Sequence, residues 1–97
     1  MKREEAVTRL KERQGELKAP GVRHLYLFGS TARNDSREDS DVDLFFDYDK
    51  GRLGLYGLID VKERAALILG RPTDIMARSS LHPHLKKRIE DSAILVF

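Results

Sequence analysis

Two aspartates stand inside an apolar stretch of this 97-residue chain, at Asp41-Val42-Asp43-Leu44-Phe45-Phe46. The β-branched and aromatic residues mark a strand, and aspartate is disfavoured in the middle of one. Side chains alternate across a strand, so the i, i+2 spacing puts both carboxylates on one face. Val42, Leu44 and Phe46 are left to the other face and are expected in the core. Two unpaired carboxylates side by side repel, and each raises the other's pKa. A divalent cation removes that conflict, and hard oxygen ligands suit Mg²⁺. On Asp-x-Asp alone a plainer reading stays open, with Asp41 ending a solvated acidic loop and Asp43 on an exposed strand face.

Charge is unevenly laid out around this pair. Of 16 Asp and Glu and 18 Lys and Arg, residues 35–49 hold seven of the acids (Asp35, Glu38, Asp39, Asp41, Asp43, Asp47, Asp49) and one base, Arg37. The rest of the chain is strongly basic. Asp35, Glu38, Asp39, Asp47 and Asp49 are expected to be solvated neighbours that deepen the local negative field. The chain has no cysteine, which excludes a disulfide framework, a thiolate nucleophile and a zinc finger. No apolar run approaches the roughly 18 residues of a membrane span. The charged start, Met-Lys-Arg-Glu-Glu, lacks the apolar stretch of a signal peptide, so a cytoplasmic protein is expected.

The remaining elements follow from periodicity and punctuation. Lys2 to Lys18 reads as one amphipathic helix with Ala6, Val7, Leu10 and Leu17 on one side, stopped by Ala19-Pro20-Gly21. Val22 to Phe28 reads as a strand ending at Gly29. A helical turn is expected around Thr31-Ala32-Arg33, and a loop over residues 47–54. Leu55, Leu58, Ile59, Ala65, Ala66 and Leu69 recur at helical spacing until Gly70 and Pro72. Thr73 to Ala77 reads as a third strand. Ser79 and Ser80 are candidate caps for a helix over Pro83–Asp91. Ala93 to Phe97 reads as a last strand. The order α-β-β-α-β-α-β in a single domain over residues 1–97 predicts an α/β (α+β) fold, a small mixed sheet with helices packed over it.

Upstream of the aspartates, strand, Gly29-Ser30 and a turn of small residues form a phosphate-cradling arrangement. Glycine lets the backbone approach a phosphate, free N–H groups at a helix start favour the anion, and the Ser30 hydroxyl can donate one more hydrogen bond. Taken alone, Gly-Ser is also common in ordinary strand-to-helix turns. A third carboxylate, Asp74, stands on the third strand, where it could equally be a strand-start residue. Two-metal phosphoryl transfer needs carboxylates from neighbouring strands.

Gly29-Ser30, ten residues, then Asp41-x-Asp43 matches the Gly-Ser-x₁₀-Asp-x-Asp signature of the DNA polymerase β-like nucleotidyltransferase superfamily. Gly29-Ser30-Thr31-Ala32-Arg33 with Ser40-Asp41-Val42-Asp43-Leu44 resembles its minimal nucleotidyltransferase (MNT) family. Gly70-Arg71-Pro72-Thr73-Asp74-Ile75-Met76 is similar to that family's third-carboxylate strand, and Leu81–Glu90 to its C-terminal helix. The resemblance spans roughly residues 3–97. It implies the nucleotidyltransferase fold, with Gly29 and Ser30 on the β- and γ-phosphates of ATP. Asp41 and Asp43 would bind Mg²⁺, two ions being expected, and Asp74 would share one and help activate the acceptor hydroxyl. Arg33 is a candidate for an extra triphosphate contact, with a solvated surface arginine as its alternative. Ser40 joins the nucleotide-binding set through the matched stretch. Many relatives carry glycine where this chain has Asn34. Asparagine tolerates left-handed backbone, so the turn is expected to survive.

MNT proteins of this kind pair with a HEPN-domain RNase toxin. The resemblance therefore implies an antitoxin that transfers AMP from ATP to a tyrosine of its toxin. A small-molecule hydroxyl acceptor and a non-catalytic neutralising module are the rival readings. With 97 residues, the expectation is a catalytic core whose site a partner completes. His82 and His84 flank Pro83 without a nearby carboxylate pair and read as a surface helix start. His24 reads as a partly buried sheet residue. Lys86-Lys87-Arg88 with Arg78 forms a small basic patch that lacks interleaved aromatics, so no direct nucleic-acid binding is predicted. Tyr48 and Tyr56 could stack on a base, but are expected to pack against the following helix.

Overall fold

Leu25 and Leu27 alternate with Tyr26 and Phe28, and the sheet is built on that alternation. The computed structural model describes residues 1–37, 39–49 and 51–97; Glu38, counted above in the acidic segment, lies outside the described residues. Its strands are β1 (Val22–Phe28), β2 (Val42–Tyr48), β3 (Thr73–Ala77) and β4 (Ile94–Leu95), in the spatial order β3-β2-β1-β4. β1 pairs antiparallel with β2 and β4, whereas β2 pairs parallel with β3. A parallel neighbour requires a crossover, and α4 (Leu55–Leu69) supplies it.

One face of the sheet carries the core. Leu25, Leu27, Val42, Leu44, Phe46 and Ile75 are buried there with Ala6, Leu10 and Leu17 of the first helical segment and Val61, Ala65, Ile68 and Leu69 of α4. Each fully buried Leu, Ile, Val or Phe contributes about 1.5–3 kcal/mol. At its C-terminal end α4 stops at Gly70, which takes φ 68°, and the Arg9 guanidinium donates to the Leu69 carbonyl at 3.0 Å. That bond satisfies an orphan carbonyl and sets a cation against the negative end of the helix.

The opposite face is aromatic and polar. Tyr26 stacks on Phe45 with centroids 4.8 Å apart, and Phe28 tilts against Phe45 at 5.7 Å. Helix α5 (Pro83–Ser92) is tied to this side through Arg78, whose guanidinium bonds Glu90 at 2.5 Å. Among the described residues no helix is long and apolar enough to cross a membrane.

The N-terminal helix expected over residues 2–18 is two helices, α1 (Arg3–Glu12) and α2 (Gln14–Lys18), broken at Arg13 with φ −117° and ψ 25°. Six polar or glycine residues separate Leu10 from Leu17, so nothing apolar holds that turn on the core. Gly15 weakens it further. A short helix, α3 (Gly29–Ala32), stands where a helical turn was expected. β2 runs two residues beyond the expected Phe46, because Tyr48 still pairs with Val22. It also begins one residue late: Val42 N–H makes the first bond to Pro72 O at 3.2 Å, leaving Asp41 outside the strand. Ser79 and Ser80 do not cap α5; they form a 3₁₀ turn, and the His82 ring accepts from the His84 N–H at 3.2 Å instead. β4 is two residues long, although Val96 N–H to Leu25 O at 2.8 Å prolongs the contact.

Candidate active site

Register sets the site. Phe28 of β1, Asp43 of β2 and Asp74 of β3 are consecutive partners in one row across three strands. The row brings Asp43 beside Asp74 and places the turn that follows Phe28 next to both. Gly29 takes φ +76°, and a Cβ there would collide with Asp43 Oδ2 and lie 3.2 Å from its Cγ. Only glycine allows the backbone to turn in that region and the carboxylate to sit against it.

Asp43 is half-buried, and its pKa is raised above 3.8. Burial is the largest cause, followed by the charges of Asp74 and then Asp41, while the Arg33 guanidinium opposes them. Four groups predicted from the sequence therefore share one electrostatic environment. Asp41 is exposed, immediately before β2, and Asp74 is exposed on β3. Among the described residues no three His, Cys, Asp or Glu side chains converge on a single point. A cation here would be held by one or two carboxylates, with phosphate and water oxygens completing its shell, as is usual for Mg²⁺. The donor set fits: all are hard oxygens, and like-charge crowding favours a cation between them.

The turn itself is closed by Arg33 N–H to Gly29 O at 3.2 Å and Asp35 N–H to Ser30 O at 3.0 Å. Ser30 is half-buried. Asn34 takes φ 60°, as its tolerance of left-handed geometry implies, and its Oδ1 accepts the Arg3 N–H at 3.1 Å. That second contact is one glycine could not make; it joins this turn to the start of α1. Ser40 is occupied locally, its Oγ accepting the Arg37 N–H at 3.0 Å. Arg33 is exposed and pairs with Asp35 at 3.3 Å.

Two arginines have neighbours that the sequence does not show. Arg78 does not join a basic patch. It grips Asp47 through Nε at 2.8 Å and Nη2 at 3.0 Å, bonds Glu90 through Nη1, and lies over Tyr26 and Phe45 at 4.8 and 5.0 Å. Asp47 is accordingly a paired residue and not a solvated member of the acidic segment. Nothing local in Ala77-Arg78-Ser79 announces that clamp, since its partners lie on β2 and α5. Arg88 was grouped with a surface patch, yet it lines a cleft of about 240 Å³ with Gly29 and Arg33. The one available signal was the apolar pair Leu85 and Ile89, four residues apart on α5, which lines the same cleft.

Among residues set aside, His24 is exposed and not partly buried, as it lies where β1 shifts register. Tyr56 is 86% exposed and not packed as expected, whereas Tyr48 tilts against Phe46 at 6.0 Å. His82 and His84 stack on each other at 5.2 Å at the exposed start of α5.

Comparison with known proteins adds a lineage to this geometry. The sequence profile of the nucleotidyltransferase domain matches residues 3–96. A Methanocaldococcus jannaschii protein, MJ0435, provisionally named a protein adenylyltransferase, is 36% identical over 76% of this chain and 78% of its own length. The protein adenylyltransferase MntA of Thermococcus cleftensis is 33% identical over 78% of this chain and 76% of its own. A solved structure provisionally identified as a minimal nucleotidyltransferase superposes with a TM-score of 0.83 at 30% identity, covering 97% of this chain and 95% of that one. A toxin–antitoxin structure with AMP-PNP shares the fold at a TM-score of 0.70 and 16% identity, covering all of this chain and 73% of that one.

Proposed function

Because the chain belongs to the nucleotidyltransferase domain family, we propose that it transfers AMP from ATP to a hydroxyl of a partner protein. The observation that carries this reading is the row Phe28-Asp43-Asp74, which joins the Gly29-Ser30 turn to two carboxylates of adjacent strands. The names of the curated relatives, protein adenylyltransferases, support the acceptor class.

Gly29 and Ser30 bind the β- and γ-phosphates: the glycine allows close approach of the backbone, and the serine hydroxyl donates. Asp41, Asp43 and Asp74 would hold Mg²⁺, which when bound neutralises charge on the phosphates and activates the acceptor oxygen. Asp74, more exposed than Asp43, is positioned to take the proton from the incoming hydroxyl. The acceptor oxygen bonds to the α-phosphorus, the bond to the β-phosphate oxygen breaks, and pyrophosphate leaves. Most of the catalysis is positioning and charge neutralisation, as expected for phosphoryl chemistry.

A tyrosine of a HEPN-domain toxin is the acceptor we favour, with this chain as its antitoxin. The resemblance to minimal nucleotidyltransferases is the source of that reading, and a toxin–antitoxin structure with the same fold supports a toxin as the partner. A protein partner also suits the exposed apolar side chains at the start of α4, Leu55, Tyr56 and Ile59, since exposed apolar surface marks interaction sites.

The test incubates the chain with α-labelled ATP, Mg²⁺ and the protein that co-purifies with it, beside an Asp41→Asn/Asp43→Asn version. Label on the partner that depends on the aspartates is the expected result. Undiminished neutralisation of the partner by the double variant, without label, would overturn the enzymatic reading. Label on a small molecule would move the acceptor to that class.

A further inference from the structure

The β- and γ-phosphates seated on Gly29 and Ser30 carry charge that cationic side chains beside the turn can share with a metal ion at the aspartates. Gly29 also lines the cleft of about 240 Å³. Phe28, Gly29 and Arg33 form one wall, and Leu85, Arg88 and Ile89 of α5 form the other. None of the described residues lining it is acidic. The site thus has an anionic end at Asp43 and a cationic end between Arg33 and Arg88.

Two of the described arginines, Arg33 and Arg88, line this cleft. Arg78, by contrast, is clamped by Asp47 and Glu90. Among the described residues Arg33 pairs with Asp35, at 3.3 Å with both side chains about 60% exposed, a pair that an incoming phosphate displaces at little cost. Arg88 is exposed on α5 and lines the cleft together with Leu85, three residues before it, and the half-buried Ile89 next to it. The helix is held in that position by the bond from Arg78 to Glu90, two residues beyond Arg88.

We propose that Arg88 is a specificity residue that, facing Arg33 across this cleft, grips the terminal phosphates of the nucleotide and so selects a triphosphate donor. This rests on the nucleotidyltransfer reading of the same site and deepens it. A guanidinium fork matches two phosphate oxygens at once, which a lysine cannot. After transfer the same pair holds the pyrophosphate until it departs. Adenosine monophosphate, which ends at the α-phosphate, does not reach it.

Calorimetric titration of the full chain with Mg²⁺ and ATP, inorganic tripolyphosphate or AMP tests this on Arg88→Ala, Arg88→Lys and a control, Lys62→Ala on exposed α4. Charge-assisted hydrogen bonds of this kind predict about a tenfold or greater loss of ATP and tripolyphosphate affinity in Arg88→Ala. Arg88→Lys should fall between, AMP affinity should be unchanged, and Lys62→Ala should bind as the unaltered chain. An equal melting temperature for Arg88→Ala, whose side chain is exposed, separates lost binding from lost folding. If the unaltered chain binds both triphosphates and Arg88→Ala binds them equally, or if Lys62→Ala loses as much, only this inference falls. If AMP binding falls in parallel, Arg88 does not read the terminal phosphates. If the unaltered chain binds neither ATP nor tripolyphosphate, the nucleotidyltransfer reading falls and takes this one with it.

Discussion

Gly29 and Asp43 occupy one steric compartment: a single carbon added to the glycine would take the place of the aspartate's carboxylate oxygen. The turn that would hold phosphate and the strand that would hold a cation are therefore fitted to each other before any ligand arrives.

Substituting Gly29 by alanine tests that fit. At φ +76° an L-residue is strained by about 1–2 kcal/mol, and the added methyl displaces Asp43 as well. Gly29→Ala should lower stability by about that amount in chemical denaturation. It should also abolish transfer more completely than Ser30→Ala, which removes only a donor.

Asp43 should trade stability for function. Its pKa is raised, so the folded chain holds this proton more tightly than the unfolded chain does. Ionisation then costs stability: the cost is absent below the ordinary value of 3.8, develops as pH rises through the raised value, and is complete at neutral pH. Asp43→Asn is expected to melt at a higher temperature than the unaltered chain at pH 7 without Mg²⁺, with the difference closing below pH 3.8. Transfer activity should fall on the order of 10³-fold, the equivalent of several kcal/mol of charge stabilisation. Removing the neighbouring charge with Asp74→Asn should lower the pH at which Asp43 ionises, readable by carboxyl NMR titration.

Arg78 joins β2, α5 and the Tyr26–Phe45 stack through one side chain. Arg78→Ala leaves Asp47 without its bidentate partner and α5 without its tether, so a loss of about 1–3 kcal/mol is expected. Arg78→Lys should recover little, because an ammonium cannot fork to Asp47 and reach Glu90 together. Unfolding in urea measures both. Hydrogen exchange in α5 should rise in Arg78→Ala ahead of the rest of the chain.

Thr31 is 1% exposed, and its hydroxyl oxygen has no hydrogen-bond partner among the described residues. Thr31→Val keeps the shape and removes a buried unsatisfied group, so it should stabilise the chain by about 1 kcal/mol. A lower melting temperature would show that the hydroxyl is satisfied after all.

Local pattern determined a good deal of this molecule. Strands 22–28 and 73–77 and helix 55–69 stand at their expected residues, because alternation, helical spacing and the Gly70 stop act over a few residues and need no distant partner. Gly29-Ser30 and Asp41-x-Asp43 were legible for the same reason: the chemistry is written in neighbouring residue types at a fixed interval. What tertiary structure decided is which distant groups meet. The parallel register, and not the Asp-x-Asp spacing, pairs Asp43 with Asp74 and leaves Asp41 ahead of the strand. Folding turned Arg78 from a patch residue into a clamp and brought Arg88 from the far end of the chain to Gly29. Such meetings depend on how sheet and helices pack. A charged side chain carries no local mark of the partner it will find.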